Sequence, residues 1–387
     1  MQTIAHGVRF CHDTWRHVPL IAQRAVGGSR RYDADVAFGI YLHVPFCRHR
    51  CDYCAFAIWT DRHHLEERYL DACRRQITEA TPGLPPVTSL FVGGGTPTLV
   101  DPHRLVGVIG QARLAPGAEV TIECNPDDLD EQRARIYADG GVTRISIGVQ
   151  SMDSRVLTSL GREHEPANVE RAVAAAHGAG LLVNVDLVYG AHGETLGQWE
   201  ATLEAAIALD PHHISAYALT VEAGTPLAAD PARHPDDDTQ ADEYQLATAK
   251  LAAAGYDWYE ISNWAKPGHE CRHNHLYWSG GEYLAVGCAA HGHLAGRRSW
   301  NLRTPERYIA AIEEGRSPEA GSEELAPDER RVETLQLAIR TRGGVLRSEV
   351  PPGFVEELDG LVETQGERVV LTPAGRLLAN EVAIRLG

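Results

Sequence analysis

Three cysteines, Cys47, Cys51 and Cys54, stand within eight residues in a C-x3-C-x2-C pattern. The chain holds only 8 cysteines in 387 residues, so the clustering exceeds what composition alone gives. Three thiolates on one short loop can hold three irons of a cubane iron–sulfur cluster. A fourth iron would lack a cysteine and stay open to a small-molecule ligand. With a reducing compartment expected, clustered thiols favour metal over disulfide.

Other residues with chemistry to offer follow short apolar runs. Gly93-Gly94-Gly95-Thr96-Pro97-Thr98 is a glycine-rich loop. Its glycines permit positive φ and close backbone approach, and its amides are candidates to bind a ligand. Glu123, in Glu123-Cys124-Asn125-Pro126, could neutralise an ammonium group or bind ribose hydroxyls. Gln150 closes the run Arg144–Val149, Arg162 could meet a carboxylate, and Asp186 could accept hydrogen bonds from hydroxyls.

The elements that must position these residues alternate. Strands are expected at Phe38–Val44, Val87–Val92, Glu119–Cys124, Thr143–Val149, Leu181–Val188 and His212–Leu219. Helices are expected at His63–Ala80, Pro102–Leu114, Leu129–Asp139, Asp153–Leu160, Pro166–Ala179, Leu196–Leu209 and Asp237–Ala254. Strands alternating with helices imply an α/β fold with a parallel sheet, here a partial (β/α)6 barrel. Chemistry in such barrels gathers where strands end, and most of the residues above fall there. Four regions are expected: an N-terminal extension over 1–35, a barrel over 36–260, an aromatic and His-rich region with a linker over 261–320, and a C-terminal α+β module over 321–387. The Gly/Pro/Glu-rich linker is centred on Arg316–Pro327, and a helical run is expected over Pro352–Thr364. Helix, helix, short β-wing and helix give the last module a winged-helix-like pattern. Its many acidic residues favour a packing or lid role over DNA binding.

The cysteine loop, with Pro45-Phe46 before it and Tyr53 before the last cysteine, resembles the radical S-adenosylmethionine (SAM) superfamily. Within it, the chain is most similar to the oxygen-independent coproporphyrinogen oxidase-like branch. The resemblance implies a [4Fe-4S] cluster on Cys47, Cys51 and Cys54, with SAM at the open iron. It also implies SAM contacts from Tyr41, Tyr53, Gly94, Gly95, Thr96, Glu123, Gln150, Arg162, Asp186 and Ala218. Two departures matter. The oxidases carry one more cysteine, where Ala55-Phe56 stands here. The segment Cys271-Arg272-His273-Asn274-His275-Leu276-Tyr277-Trp278 is similar to that of the haem-chaperone group of the branch, with His273 as the implied haem contact and His275 and His291 as alternatives. The implied function is delivery of haem to acceptor proteins, with an electron donor as a further partner. The alternatives are oxidative decarboxylation of coproporphyrinogen III, or a radical SAM methyltransferase or haem-degrading activity. Ala191-His192 replaces the Leu-Pro usual after Tyr-Gly in the family, which leaves that loop's detail open.

Composition narrows the classes. The formal net charge is −17, which argues against general nucleic-acid binding. No apolar run of about 18 residues occurs, so no membrane span is expected, while peripheral membrane contact stays open. Met1–Pro19 is broken by His6, Arg9, His12, Asp13 and Arg16 and lacks a signal-peptide core, which gives cytoplasm as the expected location. Cys11-His12 is too small a pair to argue a metal site.

Overall fold

The structure is a computed structural model in which residues 37–387 are described. The expected N-terminal extension and the Cys11-His12 pair lie outside the described residues. Six strands, β1 (Phe38–Val44), β2 (Val87–Gly94), β3 (Leu114–Cys124), β4 (Arg144–Gln150), β5 (Leu182–Tyr189) and β6 (His213–Ala218), pair in parallel in sequence order. This is the expected partial barrel, and it stays open.

The strands read as apolar runs interrupted at alternate positions. In β5, Val183, Val185 and Leu187 are buried against the outer helices, while Asn184 and Asp186 share the opposite face. Helices between the strands begin on side-chain caps that satisfy otherwise orphaned amides. Asp101 accepts from Arg104 N, Asp130 from Arg133 N and Asp236 from Thr239 N, and Thr195 with Gln198 forms a capping box. Trp199 and Trp264 are fully buried in this core, contributions of about 2–3 kcal/mol each.

The sheet continues past the six strands. β7 (Asp257–Glu260) and β8 (Asn263–Ala265) extend it beyond β6; β9 (Glu282–Val286) joins the free side of β1 in parallel, followed by β10 (His291–Leu294), β11 (Arg297–Asn301) and β12 (Glu319–Glu324). The stretch expected as a linker around 316–327 therefore contains an edge strand. Glu319 and Glu323 of β12 pair with Arg297 and Arg298 of β11, and these cross-strand ion pairs fix its register. The helix expected over Pro102–Leu114 ends at Ile109, because Leu114 opens β3 opposite Val87.

Residues 327–387 enclose a separate core of Leu335, Ile339, Val345, Phe354, Val369 and Val382, among others. β13 (Val345–Leu346), β14 (Val362–Gln365) and β15 (Arg368–Leu371) form its small sheet, the wing-like part of the expected pattern. The helical run expected over Pro352–Thr364 is confined to Phe354–Glu357, since Val362 and Thr364 pair with Leu371 and Val369 instead. No helix among the described residues is long and apolar enough to cross a membrane.

Candidate functional site

A cavity of about 1020 Å³ opens at the C-terminal ends of the parallel strands. Cys47, Cys51 and Cys54 line it from the loop after β1. That loop is held on several sides. Cys47 N donates to Trp59 O at 3.1 Å and Trp59 N to Pro45 O at 2.7 Å. The Arg50 guanidinium donates to Cys54 O, Phe56 O and Ile58 O at 3.0, 3.3 and 2.8 Å. Asp52 ties the loop outward through Leu160 O, Leu227 N and an ion pair with Arg233 at 2.7 Å.

The end of β2 docks under the same loop. Gly94 sits at φ +115 against the His43 ring, and a Cβ on Gly95 would lie 2.5 Å from Phe46 O. Only glycine permits both the dihedral and the approach. The amides of this loop are not free, contrary to the sequence expectation. Gly94 N donates to Glu123 Oε2 at 3.0 Å, Gly95 N to Val44 O at 2.7 Å and Thr96 N to Phe46 O at 2.8 Å. The glycine run seats the cysteine loop rather than offering it an amide cradle.

Donors point at the sulfurs. Thr96 Oγ1 lies 3.5 Å from Cys47 Sγ, and Arg162 Nη1 lies 3.7 Å from Cys51 Sγ. Burial pushes the Cys47 thiol up to about 12 and raises Cys54. Burial also presses on Cys51, but the His49 and Arg162 contacts outweigh it and its pKa falls. No three His, Cys, Asp or Glu side chains converge on one ion among the described residues. Three thiols set apart around one cavity suit a polynuclear cluster, each binding its own iron.

Across the cavity, Glu123 and Asp186 face the same space. Asp186 accepts from Ser146 Oγ at 2.7 Å and Asn184 Nδ2 at 3.1 Å, while burial raises its pKa. Burial, then the Asp186 charge, pushes Glu123 up to about 7. Gln150 follows a bulge in β4 and holds φ +62, a conformation costly for a non-glycine residue that turns it into the cavity wall. Arg162 is anchored by Gly148 O at 2.8 Å and His164 Nδ1 at 3.3 Å. Tyr53 and Ala218 also line the cavity.

Two expected contacts fall elsewhere. Tyr41 packs with Tyr277, Tyr283, Ala285 and Ala290 and stacks on Phe91, so it lies behind the wall of the cavity. Its hydroxyl donates to His43 Nδ1 at 3.1 Å, because His43 Nε2–H is spent on Ala57 O at 2.9 Å. The second correction concerns His273. It is fully buried, with Nδ1 2.9 Å from Ser89 Oγ and Nε2 2.8 Å from the Tyr277 hydroxyl. Neither ring nitrogen is left for a haem iron. His275 instead sits 3.5 Å from Glu270, and His291 stacks on Trp300.

Other cavity residues escaped the sequence reading. Ser146, Asn184 and Ser215 line its polar interior, deeper in β4, β5 and β6 than Gln150, Asp186 and Ala218. The two-residue period of a strand reaches Asn184 from Asp186, and it would have found that residue. The wall supplied by the C-terminal module carries no such periodic signal.

A model of the radical SAM superfamily matches residues 41–206. A haem chaperone HemW of Mycobacterium tuberculosis (strain CDC 1551 / Oshkosh) is 40% identical over 364 residues, covering 89% of this chain and 93% of the relative. The Bacillus subtilis haem chaperone HemW is 33% identical, covering 88% and 97%. Among solved structures, Escherichia coli coproporphyrinogen III oxidase (HemN), a radical SAM enzyme, superposes with a TM-score of 0.79 at 22% identity, covering 92% of this chain and 91% of that one.

Proposed function

The chain belongs to the HemW haem-chaperone family within the radical SAM superfamily, and from that premise we propose that it binds haem and passes it to acceptor proteins. Radical SAM membership implies a [4Fe-4S] cluster and SAM. The observation that carries the haem reading is likeness to HemW proteins along nearly their full length. The pair Ala55-Phe56, where the oxidases have a further cysteine, supports it.

Cys47, Cys51 and Cys54 would hold the cluster. When bound, cluster and SAM together supply one-electron chemistry that the protein's side chains cannot. The chain's own groups do the rest. Arg162 donates toward Cys51 and Thr96 toward Cys47, and hydrogen bonds to ligand sulfurs tune a cluster's potential. Glu123 and the Gly94–Thr96 turn would take the amino group of SAM; an arriving ammonium would favour the ionised form of Glu123. Asp186 and Gln150 would receive ribose hydroxyls, and Tyr53 and Ala218 would flank the base.

The test is a haem titration into anaerobically reconstituted protein, followed by SAM and a reductant. Saturable Soret-band binding, with the haem recovered intact, is expected. No haem uptake would remove the chaperone reading, and degraded or methylated haem would favour an enzymatic one.

A further inference from the structure

The cavity does not stop at the barrel. It runs on between the helix Asp237–Ala253 and the C-terminal module, where Leu361, Ala374, Arg376, Leu377 and Leu378 line it. On this wall two buried donors lack an acceptor: the Tyr244 hydroxyl, whose neighbours Arg376 and Thr248 are themselves donors, and Arg376 Nε. Tyr244 is only 5% exposed. The Arg376 guanidinium is laid over the Trp258 ring, 3.7 Å from its centroid, and so is held in place while Nε stays unpaired. Buried donors without acceptors cost free energy, and their presence asks for an explanation. Both groups donate, one from a cation, so their complement is an anionic acceptor such as a carboxylate.

Beside them the surface turns apolar. Leu377 and Leu378 are 37% and 46% exposed, two of the few large hydrophobic side chains left open to solvent among the described residues. Asp237, Asp238 and Glu381 also line this mouth and would repel an anion, which leaves the Tyr244–Arg376 wall as the place for it. A ligand suited to this seam has a broad apolar body and a carboxylate on one edge.

We propose that the seam between helix Asp237–Ala253 and the C-terminal module is the tetrapyrrole site, with a propionate on Tyr244 and Arg376 and the ring against Leu377 and Leu378. This rests on the haem reading above. The two nitrogens of buried His273 are already bonded, so the haem contact has to come from another part of the cavity. The module then serves as one jaw of the cargo site, facing the cluster loop across a shared cavity.

The experiment compares haem with haem dimethyl ester, which lacks free carboxylates, on the full reconstituted protein. Wild type should bind haem at least tenfold more tightly than the ester. Y244F and R376Q should each weaken haem about tenfold and leave the ester unchanged. L378D should weaken both. Y244F removes a hydroxyl that has no acceptor and keeps the ring, so its melting temperature and cluster content should stay close to wild type, which keeps the test sound if R376Q folds poorly. Equal affinity of wild type for haem and ester, or wild-type haem affinity in Y244F, would overturn the site while the haem reading stands. If wild type takes up no haem at all, the haem reading itself falls and the site with it.

Discussion

The cysteine loop and the histidine–tyrosine helix sit at the two ends of β1. Cys47 follows the strand's last residues, while the His273 ring packs against Gly39 near its start. Both segments carry metal-binding side chains at short spacing. In the loop, the thiols face a cavity, and the groups around them are donors aimed at sulfur. In the helix, Ser89 and Tyr277 occupy both imidazole nitrogens, and Phe91 stacks on the ring. The difference teaches that a residue type at the right spacing is a ligand only where its lone pairs are left unspent. The first segment is built for something absent from the chain, and the second is complete without it.

The largest contrast is expected on removing one ligand from each segment. C51A should abolish the cluster's visible absorbance and bring iron after reconstitution to background. Undiminished iron content would break the comparison at its stronger end. H273A should instead act on folding. It orphans the Ser89 and Tyr277 hydroxyls inside the core, at roughly 1–3 kcal/mol each, and opens a void. Chemical denaturation should show a loss of about 3 kcal/mol or more, with haem affinity of the folded protein nearly unchanged. A protein of wild-type stability that no longer binds haem would reinstate His273 as a ligand.

Seating of the loop is tested by G95A. The added methyl meets the Phe46 carbonyl, and such overpacking costs about 1–3 kcal/mol or forces the loop away. Iron retention against a chelator should fall with it; unchanged retention and stability would show that the glycine run does not hold the loop.

A milder effect comes from a third region where a polar atom lacks a partner. Glu194 and Glu243 are buried near each other, both facing the Gly190 backbone, and Glu194 Oε1 has no partner. Burial raises both pKa values, with the Glu243 charge adding to Glu194, to about 8 for Glu194 and about 7 for Glu243. The folded state therefore holds protons that the unfolded chain releases near pH 4.5. Stability should fall as pH rises from about 5 to 8 and level off above that. E194Q should flatten this slope and raise the melting temperature at pH 8 by a few degrees, as thermal scans across pH would show. A slope identical to wild type would mean that the pair is not what titrates.

Much of the barrel was legible because buried, apolar parallel strands alternating with helices write a strong pattern. β1 was placed to the residue, and each of the six βα units was found. The strands β8 to β12 were not, because most are only three to five residues long and their polar positions are set by cross-strand pairing, as β12 is by Arg297 and Arg298. Of the expected cavity residues, those on the cysteine loop and strand ends came together. Tyr41 and His273 did not, since strand position alone does not tell whether an aromatic ring ends at a cavity wall or behind it. Leu377 and Leu378 were invisible for a further reason: their role depends on how a separate core docks, through Arg376 on Trp258 and Arg342 N on Tyr259 O.

The most direct measurement asks whether this cavity performs porphyrinogen chemistry or carries haem. Reconstituted protein would be incubated anaerobically with coproporphyrinogen III, SAM and a reductant, and products resolved after oxidation. A haem carrier yields no protoporphyrin above a no-protein control. Protoporphyrin formed in proportion to protein and SAM would contradict the carrier function and place the chain with the decarboxylases.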